Sequence, residues 1–204
     1  MMGAPARIGL WTSLILLVAV AVWLVWPDPV IERAPGALCP EMPVQTPPSR
    51  ATPWLHGDFM ITALADYEIS AVVLSREEYH SGKAAELSPV DLALGWGRMS
   101  DSFVYEKLDI SQGHRWYKWE PDGLEPIPRR EIERSSANVH ILPANESVRD
   151  ALDEVHRGSI VRMQGSLVKA TMSNGWHWVS STTRDDTGDG ACEVFWVESL
   201  IVEN

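Results

Sequence analysis

The sequence predicts an α+β fold: one domain of mostly antiparallel strands with two or three short helices, behind an N-terminal transmembrane helix. Three observations carry this. Residues Ile8 to Trp26 run without a charged side chain, and a helix of that length rises about 28 Å, close to the hydrocarbon thickness of a bilayer. Past residue 53, short runs rich in β-branched and aromatic residues alternate with turn residues, as strands do. Those runs are not regularly interleaved with helical segments, which argues against a parallel doubly wound sheet.

The chain divides accordingly. Residues 1–7 are a cytoplasmic N-terminus, 8–26 a transmembrane signal-anchor, 27–53 a proline-rich stalk and 54–204 an extracytoplasmic globular domain. A cleavable signal has an apolar core of about 7–15 residues followed by a small-x-small site. Here the core is longer, and the triplet Ala19-Val20-Ala21 lies inside it. Arg7 precedes the helix while Asp28 and Glu32 follow it, so the positive-inside bias leaves the domain outside. Trp11, Trp23 and Trp26 suit either the headgroup belts or lipid-facing bulk.

Eight of the 14 prolines fall between Pro27 and Pro53. Such a segment lacks the donors of a helix or central strand and favours extended polyproline geometry. It reads as a semi-rigid spacer, with Pro40-Glu41-Met42-Pro43 as a second reading, a partner motif.

Within the domain, Phe59–Leu64 and Tyr67–Ser75 read as a hairpin joined at Ala65-Asp66. Ser88, Pro89 and Asp91 form a helix start, predicting a helix over 89–94 that stops at Gly95. Leu108–Ser111 and Arg115–Glu120 read as a second hairpin, on which Trp116 and Trp119 face opposite sides. A short helix is expected over 127–134 and a strand over 138–142. Asn145 caps a helix over 146–156 with an apolar stripe of Val148, Leu152 and Val155. Strands follow at 160–164, 166–171, 176–182 and 192–202, with the Asn174-Gly175 dipeptide as a hairpin turn.

One segment carries a resemblance. Gly158-Ser159-Ile160-Val161-Arg162-Met163-Gln164-Gly165-Ser166-Leu167-Val168 resembles the strongly bent strand of small Greek-key barrels such as the OB-fold, in which a mid-strand glycine permits the bend. The resemblance implies a small OB-like barrel and covers only these residues.

Composition excludes some functions. The formal net charge is −11, and the acidic and basic residues before Trp54 cancel, so the domain carries it all. Without a basic patch, nucleic acid is disfavoured as a partner, as is an anionic membrane surface. The expected partners are the bilayer, through the N-terminal helix, and an envelope protein or surface glycan. No cofactor is implied.

Cys39 and Cys192 are the two cysteines. Outside the cytoplasm they are expected to pair as a disulfide, against the alternatives of two free thiols or a reactive Cys192. Asp185, Thr187 and Asp189, with Gly190, match the front half of a calcium loop, but the twelfth position is Trp196 instead of Glu. Asn138 and His140 alternate on one strand face and, with His177, are candidate ligand contacts. His177 shares a face with Ser181, but no nucleophile-elbow glycines surround that serine or its neighbour Ser180. The histidines show no zinc-type spacing. Seven tryptophans occupy the domain, of which Trp96, Trp116 and Trp119 are candidates for recognition. Trp176 and Trp178, on one face of one strand, anchor the core or form a stacking platform.

These readings point to a non-catalytic, membrane-anchored extracytoplasmic binding or accessory domain. The alternative is an extracytoplasmic hydrolase using His140, His177 and nearby Ser or Asp residues.

Overall fold

Residues Phe59–Glu78 form one strand, β3, long enough to pair with four others. The computed structural model describes residues 29–183, 188 and 190–204. The helix expected over Ile8–Trp26 lies outside the described residues, as do Asp185, Thr187 and Asp189. Among the described residues no helix is long and apolar enough to cross a membrane.

The strands are β1 (Val44–Thr46), β2 (Trp54–His56), β3, β4 (Val90–Gly95), β5 (Leu108–Gly113), β6 (Trp116–Pro121), β7 (Ser136–Pro143), β8 (Ile160–Thr171), β9 (His177–Val179) and β10 (Glu193–Glu203). The helices are α1 (Lys83–Leu87), α2 (Ser102–Tyr105), α3 (Arg129–Arg134) and α4 (Glu146–Asp153), with a 3-10 turn at Gly97–Ser100. With about 47% strand and 16% helix, the domain is mostly β.

Five strands pair in a ring. β3 pairs with β4, β4 with β7, β7 with β10, β10 with β8, and β8 returns to β3. All these pairings are antiparallel except β7–β10. Closure leaves no free edge within the ring. Alternate side chains point inward: Tyr67, Ile69 and Val73 from β3, Leu92 and Leu94 from β4, Val139 and Ile141 from β7, Met163 from β8 and Phe195 from β10. Helix α4 packs Val148 and Leu152 into the same core. It starts where expected, at Asn145, whose Oδ1 accepts from the Val148 N–H at 3.0 Å while Nδ2 donates to the Glu198 carbonyl at 3.2 Å.

The outer face of the barrel is covered in two places. Leu108, Val104 and Ile132 pack over Val72, Leu74 and Ala93. On the other side Trp54, Trp176 and Trp178 lie against a cluster of Phe59, Ile61, Val168 and Trp196. The outward face of β4 and β7 lies between these covers.

Several expectations need correction. The helix predicted over 89–94 is the strand β4, buried at every residue and paired on both sides. A strand buried on both faces is a continuous apolar run without alternation, so its period does not declare it. The helix lies earlier, at α1, and Ser88 ends it. Where a hairpin is predicted at Ala65-Asp66, β3 runs on unbroken, with a register shift between Ala63 and Ala65 opposite β8 and a second between Val73 and Ser75 opposite β4. Ala65-Asp66 carries none of the positive-φ turn chemistry a tight hairpin needs. Trp96, a recognition candidate, is 1% exposed inside the barrel. Cys39 and Cys192 are both free thiols. Cys39 is buried against Val72, Leu74 and Ala93, whereas Cys192 lies beside Asn138. The segment read as a stalk lies against the domain: Ile31 N–H donates to the Arg157 carbonyl at 2.8 Å, Arg33 to the carbonyls of Gly158 and Glu203 at 2.7 and 2.6 Å, and β1 pairs with β3. These contacts use residues lying between the prolines.

The strands expected at 160–164 and 166–171 are one, β8. β8 runs unbroken through Gly165, opposite a register shift between Val197 and Ser199 of β10. A Cβ at Gly165 would overlap the Trp196 carbonyl oxygen. Gly165→Ala is therefore expected to lower stability by about 1–3 kcal/mol through overpacking, and Asn145→Ala by about 1 kcal/mol through the lost cap. Urea denaturation of both variants checks this, and an unchanged midpoint for Gly165→Ala would contradict the close approach.

Candidate functional site

The register of β4 against β7 sets Asp91 opposite His140 and Ala93 opposite Asn138. All four point out of the barrel, since the inward positions are Leu92, Leu94, Val139 and Ile141. Outward does not mean exposed here. Asp91 is 0% exposed and His140 2%, because other elements fold over them.

The first cover is the β5–β6 hairpin. Its two-residue turn, His114-Arg115, has φ values of 54° and 69°. Both are left-handed conformations that cost non-glycine residues energy, yet they match a type I′ hairpin turn. The turn delivers the Arg115 guanidinium to Asp91. Nη1 donates to Asp91 Oδ1 at 2.5 Å and Nη2 to the Ser88 carbonyl at 2.9 Å. The guanidinium lies 3.6 Å over the Tyr79 ring, and the Tyr79 hydroxyl accepts from the Arg115 N–H at 2.9 Å. Asn138 holds the same turn from the barrel side. Its Nδ2 donates to the Arg115 carbonyl at 3.0 Å, and its Oδ1 accepts from Gln112 Nε2 at 2.7 Å.

The second cover is β9. The Trp178 ring lies 4.5 Å from the His140 ring and 5.4 Å from the Arg115 guanidinium. His140 Nδ1 is 2.9 Å from Asp91 Oδ1 but is not aligned for a hydrogen bond. Asp91 Oδ2 has no hydrogen-bond partner. One buried carboxylate thus serves one guanidinium, with an imidazole against it, and Arg115 supplies the compensating charge. Such a charge is tolerated only while its partner stays.

Beside this network lies a cavity of about 330 Å³, at the lower end of the range for ligand pockets. Residues 116–120 of β6 form one wall and residues 136–138 of β7 another. Arg129 and Glu133 of α3 flank it, and residues 191–193 close it at the start of β10. Lys118, Arg129, Glu120 and Glu133 all line it, so the lining carries both signs. Trp116 is 41% exposed at the mouth. Trp119 is turned toward the second hydrophobic cluster, with Arg129 4.6 Å over its ring. Cys192, half-buried, puts Sγ 3.7 Å from Asn138 Nδ2.

Of the residues singled out by sequence, Asn138, Trp116 and Trp119 meet around this cavity, and His140 lies next to it in the buried network. His177 does not join them: it is exposed, and its Nδ1 lies 3.3 Å from the Gly175 carbonyl. Ser180 and Ser181 are buried in backbone bonding, with Ser180 Oγ accepting from the Val194 N–H at 3.0 Å. Among the described residues no group of three His, Cys, Asp or Glu side chains is placed to hold a metal. Sequence reasoning missed Asp91, Arg115 and Tyr79. Its one available signal was a lone acid inside the apolar run Val90–Leu94, which marks a buried paired charge.

Burial pushes the Tyr117 hydroxyl up to about 12, against 10.0 for an ordinary tyrosine, and its hydrogen bond to Ser136 at 3.2 Å opposes this weakly. Burial likewise raises Tyr79 and Tyr105. The folded state therefore favours the neutral phenols. For Tyr117 the contribution to stability is complete below pH 10 and is lost as pH rises through about 12. Tyr117→Phe should flatten this alkaline limb in a stability-against-pH series. Arg115→Ala should cost about 3–5 kcal/mol by stranding the Asp91 charge. An Asp91→Ala/Arg115→Ala cycle should show strong coupling, and additive losses would refute the pairing.

Comparison of the chain with protein-family models, with curated proteins and with solved structures gives no match.

Proposed function

We propose that this is a non-catalytic binding or accessory domain, held at a membrane by Ile8–Trp26 with the barrel outside the cytoplasm, serving an envelope or cell-surface component. The observation that carries the binding reading is the cavity of about 330 Å³, lined by the 41% exposed Trp116 and lying beside the buried Asp91–Arg115 ion pair.

Fold-level analogy supports the location. The ring order β3-β4-β7-β10-β8, the parallel β7–β10 pair and a helix between β7 and β8 resemble the OB-fold. OB-folds bind ligands across their second and third strands and the loops that follow strands one and four. Here those strands are β4 and β7, and those loops carry Tyr79, Ser88, Trp178 and Cys192. The analogy supports a site and no chemistry. Oligonucleotides fit poorly, because the net charge is −11 and the cavity carries both signs.

The hydrolase alternative has one observation in its favour, the Asp91–His140 contact. Against it, His140 is buried beneath Trp178, and among the described residues no hydroxyl or thiol hydrogen-bonds to it. A nucleophile needs such a base within reach.

Two measurements test the reading. A reporter active only in the cytoplasm, fused after Asn204, should be silent, and a strong signal would overturn the topology. A photo-crosslinking side chain at Trp116 in membranes should give adducts that the same group at Leu124, 91% exposed, does not. Equal labelling at the two positions would remove the cavity from consideration.

A further inference from the structure

The cavity wall formed by β6 is a strand edge. β5 and β6 make a sheet of two strands, so β6 is paired on one side only. The turn His114-Arg115 joins the partners Gly113 and Trp116. In a two-residue hairpin this flanking pair exchanges both backbone hydrogen bonds, and paired and unpaired positions then alternate along the ladder. Trp116, Lys118 and Glu120 therefore turn their N–H and C=O groups toward β5. Tyr117 and Trp119 turn theirs the other way.

Arg115 identifies what lies on that other side. It shares the parity of Tyr117 and Trp119, and its carbonyl accepts from Asn138 Nδ2 on β7 at 3.0 Å. The outward groups of Tyr117 and Trp119 thus face β7 across the cavity, which residues 116–120 line without a break. Among the described residues, neither makes a backbone hydrogen bond to an element other than β5. Two N–H and two C=O groups line up along one wall, about 7 Å apart by residue pair.

That periodicity is the complement of one chemical class. An extended peptide presents N–H and C=O groups at the same repeat, whereas the hydroxyls of a glycan or the chains of a lipid do not. We propose that the cavity takes an extended peptide segment of a partner protein as an added strand on β6. This rests on the reading of the cavity as a binding site. Alternate side chains of the added strand meet Trp116, Lys118 and Glu120 as cross-strand neighbours. Lys118 and Glu120 have opposite signs, so the fit is to a segment of mixed charge instead of a polyanion.

The test uses the full-length chain in detergent micelles. The probe is a pool of randomised hexapeptides, acetylated and amidated at their ends, with chitotriose as a glycan control. Hydrogen exchange is read at single amides in the free and bound protein. In the free protein the Tyr117 and Trp119 amides should exchange faster than those of Lys118 and Glu120. A selected peptide should slow Tyr117 and Trp119 by about tenfold or more, as a net hydrogen bond at each would. Methylating alternate amide nitrogens of that peptide should weaken binding by a similar factor in one register and not the other.

A bound peptide that leaves Tyr117 and Trp119 unchanged overturns the proposal, as does equal binding of both methylated forms. Chitotriose that alters Trp116 fluorescence while no peptide binds overturns the added strand and keeps the cavity as a site. No binding by either probe overturns both.

Discussion

A single buried carboxylate organises the outward face of β4 and β7. Asp91 is wholly buried on β4, and a bare charge there would cost several kcal/mol. The barrel does not supply the compensating cation. Arg115 does, from the tip of a hairpin that otherwise stands outside the ring. The electrostatic need of one barrel residue therefore pins the tip of the hairpin, while Leu108, Ile110, Tyr117 and Trp119 hold its length against the barrel. Fixing β6 creates the cavity, because its wall is that strand. The left-handed backbone at His114 and Arg115 is tolerated because the ion pair, the Tyr79 stacking and the Asn138 bond all depend on it.

The same interaction explains why a polar face can be buried between two apolar covers. β4 and β7 turn Asp91, Asn138 and His140 outward, where a polar strand face would normally meet water. Here Trp178 and the hairpin turn exclude water, and the polar groups bond to one another instead. Asn138 divides its amide between Gln112 and the Arg115 carbonyl. The result is a hydrogen-bonded floor beside an open cavity.

Much of the framework was legible in the sequence because its signals are local. The Asn145 cap and the Val148/Leu152 stripe gave α4, and Asn174-Gly175 gave the β8–β9 hairpin. What was lost depends on partners distant in sequence. β4 looked helical because burial on both faces erases the alternation that marks a strand. β3 looked like two strands because a register shift and a turn leave similar traces. The site was half legible. Asn138 and His140 were placed on the right face by parity alone. Arg115 could not be found that way, since its role comes from a turn whose residues, His114 and Arg115, carry none of the glycine or asparagine that normally announces it. The cysteine pair failed for a related reason: parity says which way a side chain points, not which cover it lies under.

The parallel β7–β10 pairing has a consequence in time. β10 supplies two of the five seams of the ring, one to β7 and one to β8. It comprises residues 193–203 and follows the other four ring strands in sequence. Until it docks, β3, β4, β7 and β8 form an open ribbon whose inward face, from Tyr67 to Met163, is uncovered. Contacts this distant in sequence also form slowly. A nascent chain emerging from its N-terminus exposes this ribbon for as long as residues 193–203 are still being made. Premature termination before β10 would leave an adhesive half-barrel instead of a smaller domain, a natural substrate for holdase chaperones and quality-control proteases.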